Sequence, residues 1–232
     1  MVLKHSFVAL TAIGALLGTV STGALAQSET PADMQQWPST NLADRISADA
    51  MIGAAEVYNQ NGDLIGEVED LIAGQGGSVK KLVIEAGGFL DIGDTHFAYP
   101  ISKATIEGND RVQVTFDDAD MSSYSLFDDI DSEPATGRNW RLSELIGDWA
   151  YLKDGVRYGR VDDVIVSKQG EIASVIVYPD VTYGGSGPHA WPFYDREQGF
   201  DPGNEYYEIP HTMNEVEDLD VFVYPNRPSQ PG

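Results

Sequence analysis

Apolar and polar residues alternate with a period of two in short runs separated by glycine-bearing turns, and this pattern occurs twice along the chain. In the first copy the run Leu64 to Ile72 places Val68, Asp70 and Ile72 on one face, with Glu67, Glu69 and Leu71 on the other. Ala55 to Tyr58 precedes it across Asn61-Gly62, a strong hairpin signal. Val79 to Glu85, His96 to Ile101 and Arg111 to Phe116 supply further strands, and no long helical period intervenes. The predicted unit, residues 51–116, has five or six short strands punctuated by glycine, the pattern of a small barrel or sandwich.

The order then returns. Ile146-Gly147, Tyr151-Leu152, Asp154-Gly155, the run Tyr158 to Ile165, and Ile172 to Val177 repeat Ile52-Gly53, Val57-Tyr58, Asn61-Gly62-Asp63, Ile65 to Ile72, and Val79 to Ile84. Such self-similarity means one supersecondary unit used twice. The second unit, residues 145–224, is expected to hold strands at Asp148 to Leu152, Val156 to Val166, Glu171 to Tyr178, Glu205 to Ile209 and Asp220 to Tyr224. Gly66 and Gly159 occupy the same place in both units, inside a strand, where glycine marks a bulge or a sharp bend. The second unit differs by an aromatic excursion from Tyr183 to Tyr194, which reads as a binding loop with His189, Trp191, Phe193 and Tyr194 as partner contacts. A lid folded over the second barrel is the other reading of the same residues.

Outside the units the chain changes character. Lys4, the apolar stretch Phe7 to Val20 and Ala24-Leu25-Ala26 form a secretory signal with cleavage expected after Ala26. Residues 27–50 read as a polar leader, with a helical turn at Leu42 to Ile46, residues 117–144 as an acidic connector, and residues 225–232 as a frayed tail. A periplasmic or secreted protein follows, without membrane insertion once the signal is cut. The chain has no cysteine, so its fold rests on its cores alone. The net charge of −23 opposes nucleic acid and anionic lipid, and suits a basic protein partner or diffuse cation association.

Candidate chemistry is sparse. No nucleophile elbow, phosphate loop or zinc motif occurs, and Gly74-Gln75-Gly76-Gly77 lies between strands as a turn. His96, His189 and His211 are the histidines beyond the signal, and no two share a predicted element at ligand spacing. Asp70 and Asp163 invite an acid–base role, but an aspartate that bonds nearby backbone N–H groups and fixes the bend explains them better. The connector carries Asp117, Asp118, Asp120, Asp128, Asp129, Asp131 and Glu133, yet lacks the glycine and terminal glutamate of an EF-hand loop.

Ile52-Gly53, Gly62, Ile65-Gly66, Val68, Asp70, Leu82 to Ile84 and Tyr99-Pro100 together resemble the PRC-barrel domain. The second unit resembles it through Ile146-Gly147, Gly155, Gly159, Val161, Asp163, Val175 to Val177 and Ile209-Pro210, while Tyr158 departs from the usual aliphatic residue. The resemblance implies an all-β protein of two tandem small barrels with short helical turns, each a docking or adaptor module with no shared active site. The expected function is non-enzymatic protein binding in the cell envelope, with no cofactor and no metal. An acidic, cation-buffering or stress-protective protein without a defined partner is the alternative.

Overall fold

The computed structural model describes residues 45–74, 76–86, 95–115, 139–183, 187–194, 200–201, 203–216 and 219–224. The signal segment, the leader up to residue 44, Phe116 at the end of the first unit, connector residues 117–138, Gly184 to Ser186 and the tail lie outside the described residues.

Two sheets form, one per unit. The first contains β2 (Glu56–Tyr58), β3 (Leu64–Gly74), β4 (Ser78–Ala86), β5 (Thr95–Pro100), β6 (Thr105–Glu107) and β7 (Arg111–Gln113), ordered β5-β4-β3-β2-β7-β6. The second contains β9 (Trp149–Leu152), β10 (Arg157–Ser167), β11 (Ile172–Pro179), β12 (His189–Trp191) and β13 (Tyr206–Ile209), ordered β12-β11-β10-β9-β13. In each sheet the hairpin strands are antiparallel, and the closing pair, β2 with β7 or β9 with β13, is parallel. The fold is all-β, with two half-barrel sheets of matching topology.

Gly66 and Gly159 owe their identity to close approach. A Cβ at either would lie 2.0 or 2.1 Å from the carbonyl oxygen of Glu85 or Tyr178 on the neighbouring strand. A register shift adjoins each glycine, since pairing with the preceding strand skips Ile65 in one unit and Tyr158 in the other. The bend expected from these glycines is present in both units.

The two units exchange their leading segments. β1 (Arg45–Ser47) and the helical turn α1 (Ala48–Met51) precede the first unit, yet β1 pairs with β10 of the second sheet. Reciprocally β8 (Trp140–Arg141) and the 3-10 turn Leu142–Glu144 precede the second unit, and β8 pairs with β3 of the first. The registers correspond: Ile46 opposes Val166 as Trp140 opposes Ala73. Residues 45–50 are therefore not leader, and residues 139–144 are not connector. They are structural arms, each completing the other unit. Of the helical turn expected at Leu42 to Ile46, residues 42–44 lie outside the described residues, and Arg45 and Ile46 belong to β1, with α1 starting at Ala48.

Between the arms the hairpin turns meet. Val79 N–H donates to Gly170 O at 2.7 Å, and Ile172 N–H donates to Gly77 O at 2.9 Å. The buried apolar residues of both units accordingly merge into one cluster, with Ile46, Trp140, Val79 and Ile101 among its members. Without cysteines, this shared core and the exchanged arms hold the molecule together.

Candidate functional site

The aromatic excursion is a strand of the sheet. His189–Trp191 is β12, paired antiparallel with β11, where Val175 opposes Trp191 as Leu82 opposes Tyr99 in the first unit. Ala190-Trp191-Pro192-Phe193 is thus the counterpart of Ala98-Tyr99-Pro100-Ile101. The shared signal, alanine, aromatic, proline, apolar, was legible in the sequence. The expected strand at Asp220 to Tyr224 is likewise corrected: residues 219–224 cross the outside of the sheet without joining it.

The structure brings His189, Trp191, Phe193 and Tyr194 together, but inside the molecule. Trp191 is 0% exposed, Tyr194 4% and His189 8%. Tyr194 Oη and His211 Nε2 share a hydrogen bond of 2.7 Å, and Trp191 stacks on His211 with ring centroids 6.0 Å apart. Phe193 stacks on Trp140 of the exchanged arm at 5.9 Å. Its ring fills the space a Cβ at Gly77 would enter, so position 77 (φ 71°) excludes other residues by volume as well as by backbone. As exposed partner contacts His189, Trp191 and Tyr194 are corrected, since a buried side chain offers a partner no surface, while Phe193 is partly buried and packs against the shared core.

The open surface of the second unit lies elsewhere, on the outward face of β9 and β13. Tyr151 and Tyr206 meet edge to face there, with centroids 6.0 Å apart and Tyr206 39% exposed. With Lys153, Glu208 and Pro210 they line a groove of about 530 Å³. Beside it, Arg157 and Arg160 place their guanidinium groups 4.4 and 4.5 Å from the ring centroid of Trp149. The first unit has Glu56, Tyr58 and Arg111 at the positions of Trp149, Tyr151 and Tyr206. Arg111 lies 3.6 Å over the Tyr58 ring. At this face one unit sets a cation on its tyrosine, while the other sets a second tyrosine edge to face.

The model of the PRC-barrel domain family matches residues 46–121 and again residues 139–223. The chain belongs to the PRC-barrel domain family. Each match starts at an exchanged arm, so the arms are part of the PRC-barrel repeat. Among curated proteins, none matches the chain.

Within the PRC-barrel units the two aspartates hold the arms. Asp70 Oδ1 accepts Leu71 N–H at 2.7 Å and Ser143 N–H at 3.3 Å, and Ser143 Oγ donates to its Oδ2. Asp163 Oδ1 accepts Val164 N–H at 2.7 Å and Asp49 N–H at 3.0 Å. Burial pushes both carboxyls up, Asp163 to about 6, against the opposing pull of these N–H donors. Tyr158, the departure from an aliphatic residue, shares a hydrogen bond with His189 Nδ1, where the first unit has Ile65 and Phe97. One polar substitution matches the other, and burial lowers the His189 pKa. Among the described residues no group of three or more histidines and carboxylates could hold a metal ion, and no helix is long and apolar enough to cross a membrane. The acidic run of the connector lies outside them.

Proposed function

We infer that the chain is an exported, non-enzymatic tandem PRC-barrel protein of the periplasm or extracellular space, whose second barrel docks a protein partner. The observation that carries this reading is the Tyr151–Tyr206 groove, at the place where the first barrel has Arg111 over a single tyrosine. Exposed tyrosines are typical interface anchors, since they offer a rigid apolar ring with a polar edge. The non-enzymatic half of the reading is supported by Asp70 and Asp163, which are buried and each accept an arm N–H group at Oδ1. Export is supported by Lys4, the apolar stretch and Ala24-Leu25-Ala26.

The test is photo-crosslinking in the native envelope from position 206, with position 181 as control, since Val181 is exposed and distant in sequence from the groove. A protein captured from position 206 and not from 181, and lost in a Tyr151→Ala variant that melts normally, supports the reading. Equal capture from both positions overturns it. Intact mass of the purified protein should begin at Gln27.

A further inference from the structure

We propose that the second barrel takes an acidic segment of its partner: a side-chain carboxylate seats on Arg160, and an apolar side chain about three residues away lies in the Tyr151–Tyr206 groove. The inference rests on the reading of that groove as a docking site and names the chemistry of its occupant.

The registers of the two sheets correspond, so their outer faces compare position by position. In the first sheet Glu85, Glu67, Glu56 and Arg111 stand side by side on β4, β3, β2 and β7. The same row of the second sheet reads Tyr178, Arg160, Trp149 and Tyr206, on β11, β10, β9 and β13. All four positions differ in kind. Three glutamates and an arginine in one barrel become one arginine among three aromatic rings in the other, in a chain of 37 acidic and 14 basic residues. Tyrosine, tryptophan and arginine are the commonest anchors of interfaces. The glutamates of the first barrel repel an acidic segment, so two barrels of one topology offer a single seat.

Arg160 is held ready for a carboxylate. Its Nε donates to Gly147 O at 2.9 Å and its guanidinium lies 4.5 Å from the Trp149 ring centroid, which fixes the planar group at two points. Arg157 beside it is paired with Asp180 at 3.0 Å, whereas Arg160 makes no ion pair among the described residues. Burial and Glu205 push the Asp148 carboxyl up to about 6, and Arg160 draws it down without reaching ion-pair distance. With Nε engaged, Nη1 and Nη2 remain as the parallel donors that match a carboxylate.

The sheet sets the spacing. From β10 across β9 to β13 is two strand intervals, roughly 10 Å. An extended peptide covers that distance in about three residues. A glutamate followed, after two residues, by leucine thus reaches Arg160 with its carboxylate while the leucine lies against Tyr151 and Tyr206. The net charge of −23 repels such a segment from afar, but that field is screened over about 8 Å at physiological salt, and the contact at Arg160 decides.

The test is an NMR titration of the full chain with a capped peptide, acetyl-Gly-Glu-Ala-Ala-Leu-Gly-amide, at millimolar concentration, beside analogues with glutamine or lysine for the glutamate. Saturable shifts should appear at the Trp149 indole N–H and the amides of Tyr206 and Glu208, and not on β3. The glutamate peptide should bind about two- to five-fold more tightly than the glutamine peptide, the range of an exposed ion pair. Arg160→Gln should erase that preference and Arg157→Gln should keep it, a ratio that a change in stability does not move. Equal binding of the two peptides, tighter binding of the lysine peptide, or no saturable shift along this row overturns the proposal. Tighter binding of a glutamine peptide with a free terminal carboxylate overturns it too, since the occupant would be a chain terminus. So do row signals that move on concentrating the protein alone and return in Glu67→Lys, because a second copy would then fill the face. Tyr151→Ala separates the two readings. If the peptides bind the parent equally and Tyr151→Ala abolishes both, the docking site stands and the carboxylate seat falls. If Tyr151→Ala leaves binding and the Arg160-dependent preference intact, the groove falls as a docking site.

Discussion

Trp191 fills the centre of the second barrel, against Tyr158 on one side and His211 on the other, with no exposed surface. Trp191→Ala removes that volume and should destabilise the protein by about 3–5 kcal/mol, read from denaturant midpoints. A melting temperature within a degree of the parent would return the residue to the surface role expected from sequence. Asp163 gives a prediction of definite sign. Its carboxyl is 1% exposed and ionises at about 6 when folded, against 3.8 without burial. Between those values the folded state holds a proton that the unfolded chain has released, so this group makes stability fall as pH rises from about 4 to 6, and the loss is complete above that window. Asp163→Asn retains an acceptor for Asp49 N–H without the buried charge. Its stability relative to the parent should therefore improve between pH 4 and pH 7, by on the order of 2–3 kcal/mol at most. A difference that stays flat with pH would mean that Asp163 titrates like an exposed carboxyl.

The arms are elements whose partners lie far away in sequence. β1 and α1 are short, and Ser47 Oγ caps α1 by accepting Ala50 N–H, but the segment has few internal contacts and takes its stability from β10 and Asp163. Amide hydrogens of residues 46–51 should therefore exchange in step with β10, and those of residues 141–145 in step with β3. Arms that exchange orders of magnitude faster than those strands would mean docking is transient. The hairpins were legible from sequence because alternation, Asn61-Gly62 and the paired glycines are local signals. The arms were not: Arg45-Ile46-Ser47 and Trp140-Arg141 carry too few residues for a period to emerge, and their pairing partners lie 120 residues (Ile46 to Val166) and 67 residues (Trp140 to Ala73) away. For β12 the signal was present in Ala190-Trp191-Pro192-Phe193, but the surrounding glycines and aromatics suggested a loop. Of the site, the tyrosines of β9 and β13 could be placed on strands, yet which faces stay open depends on Arg111 in one unit and Tyr206 in the other.

At the scale of the molecule, exchanged arms and a merged core make each barrel incomplete without its sister. Heating should give one calorimetric transition with calorimetric and van't Hoff enthalpies in agreement, and two resolved transitions would show that the barrels stand alone. The same arrangement dictates a timetable for a chain that emerges from its N-terminus. When residue 115 has appeared, the first barrel has all its own strands but no occupant beside β3, since Trp140 and Ser143 are still to come. Residues 45–51, the first of the described residues made, wait longest, because their seat on β10 is not ready until Ser167 has been added. Native structure can close only from the far end backwards. Until then the first barrel carries an open flank and a homeless apolar arm, so it is before the second barrel arrives that this protein most needs a chaperone.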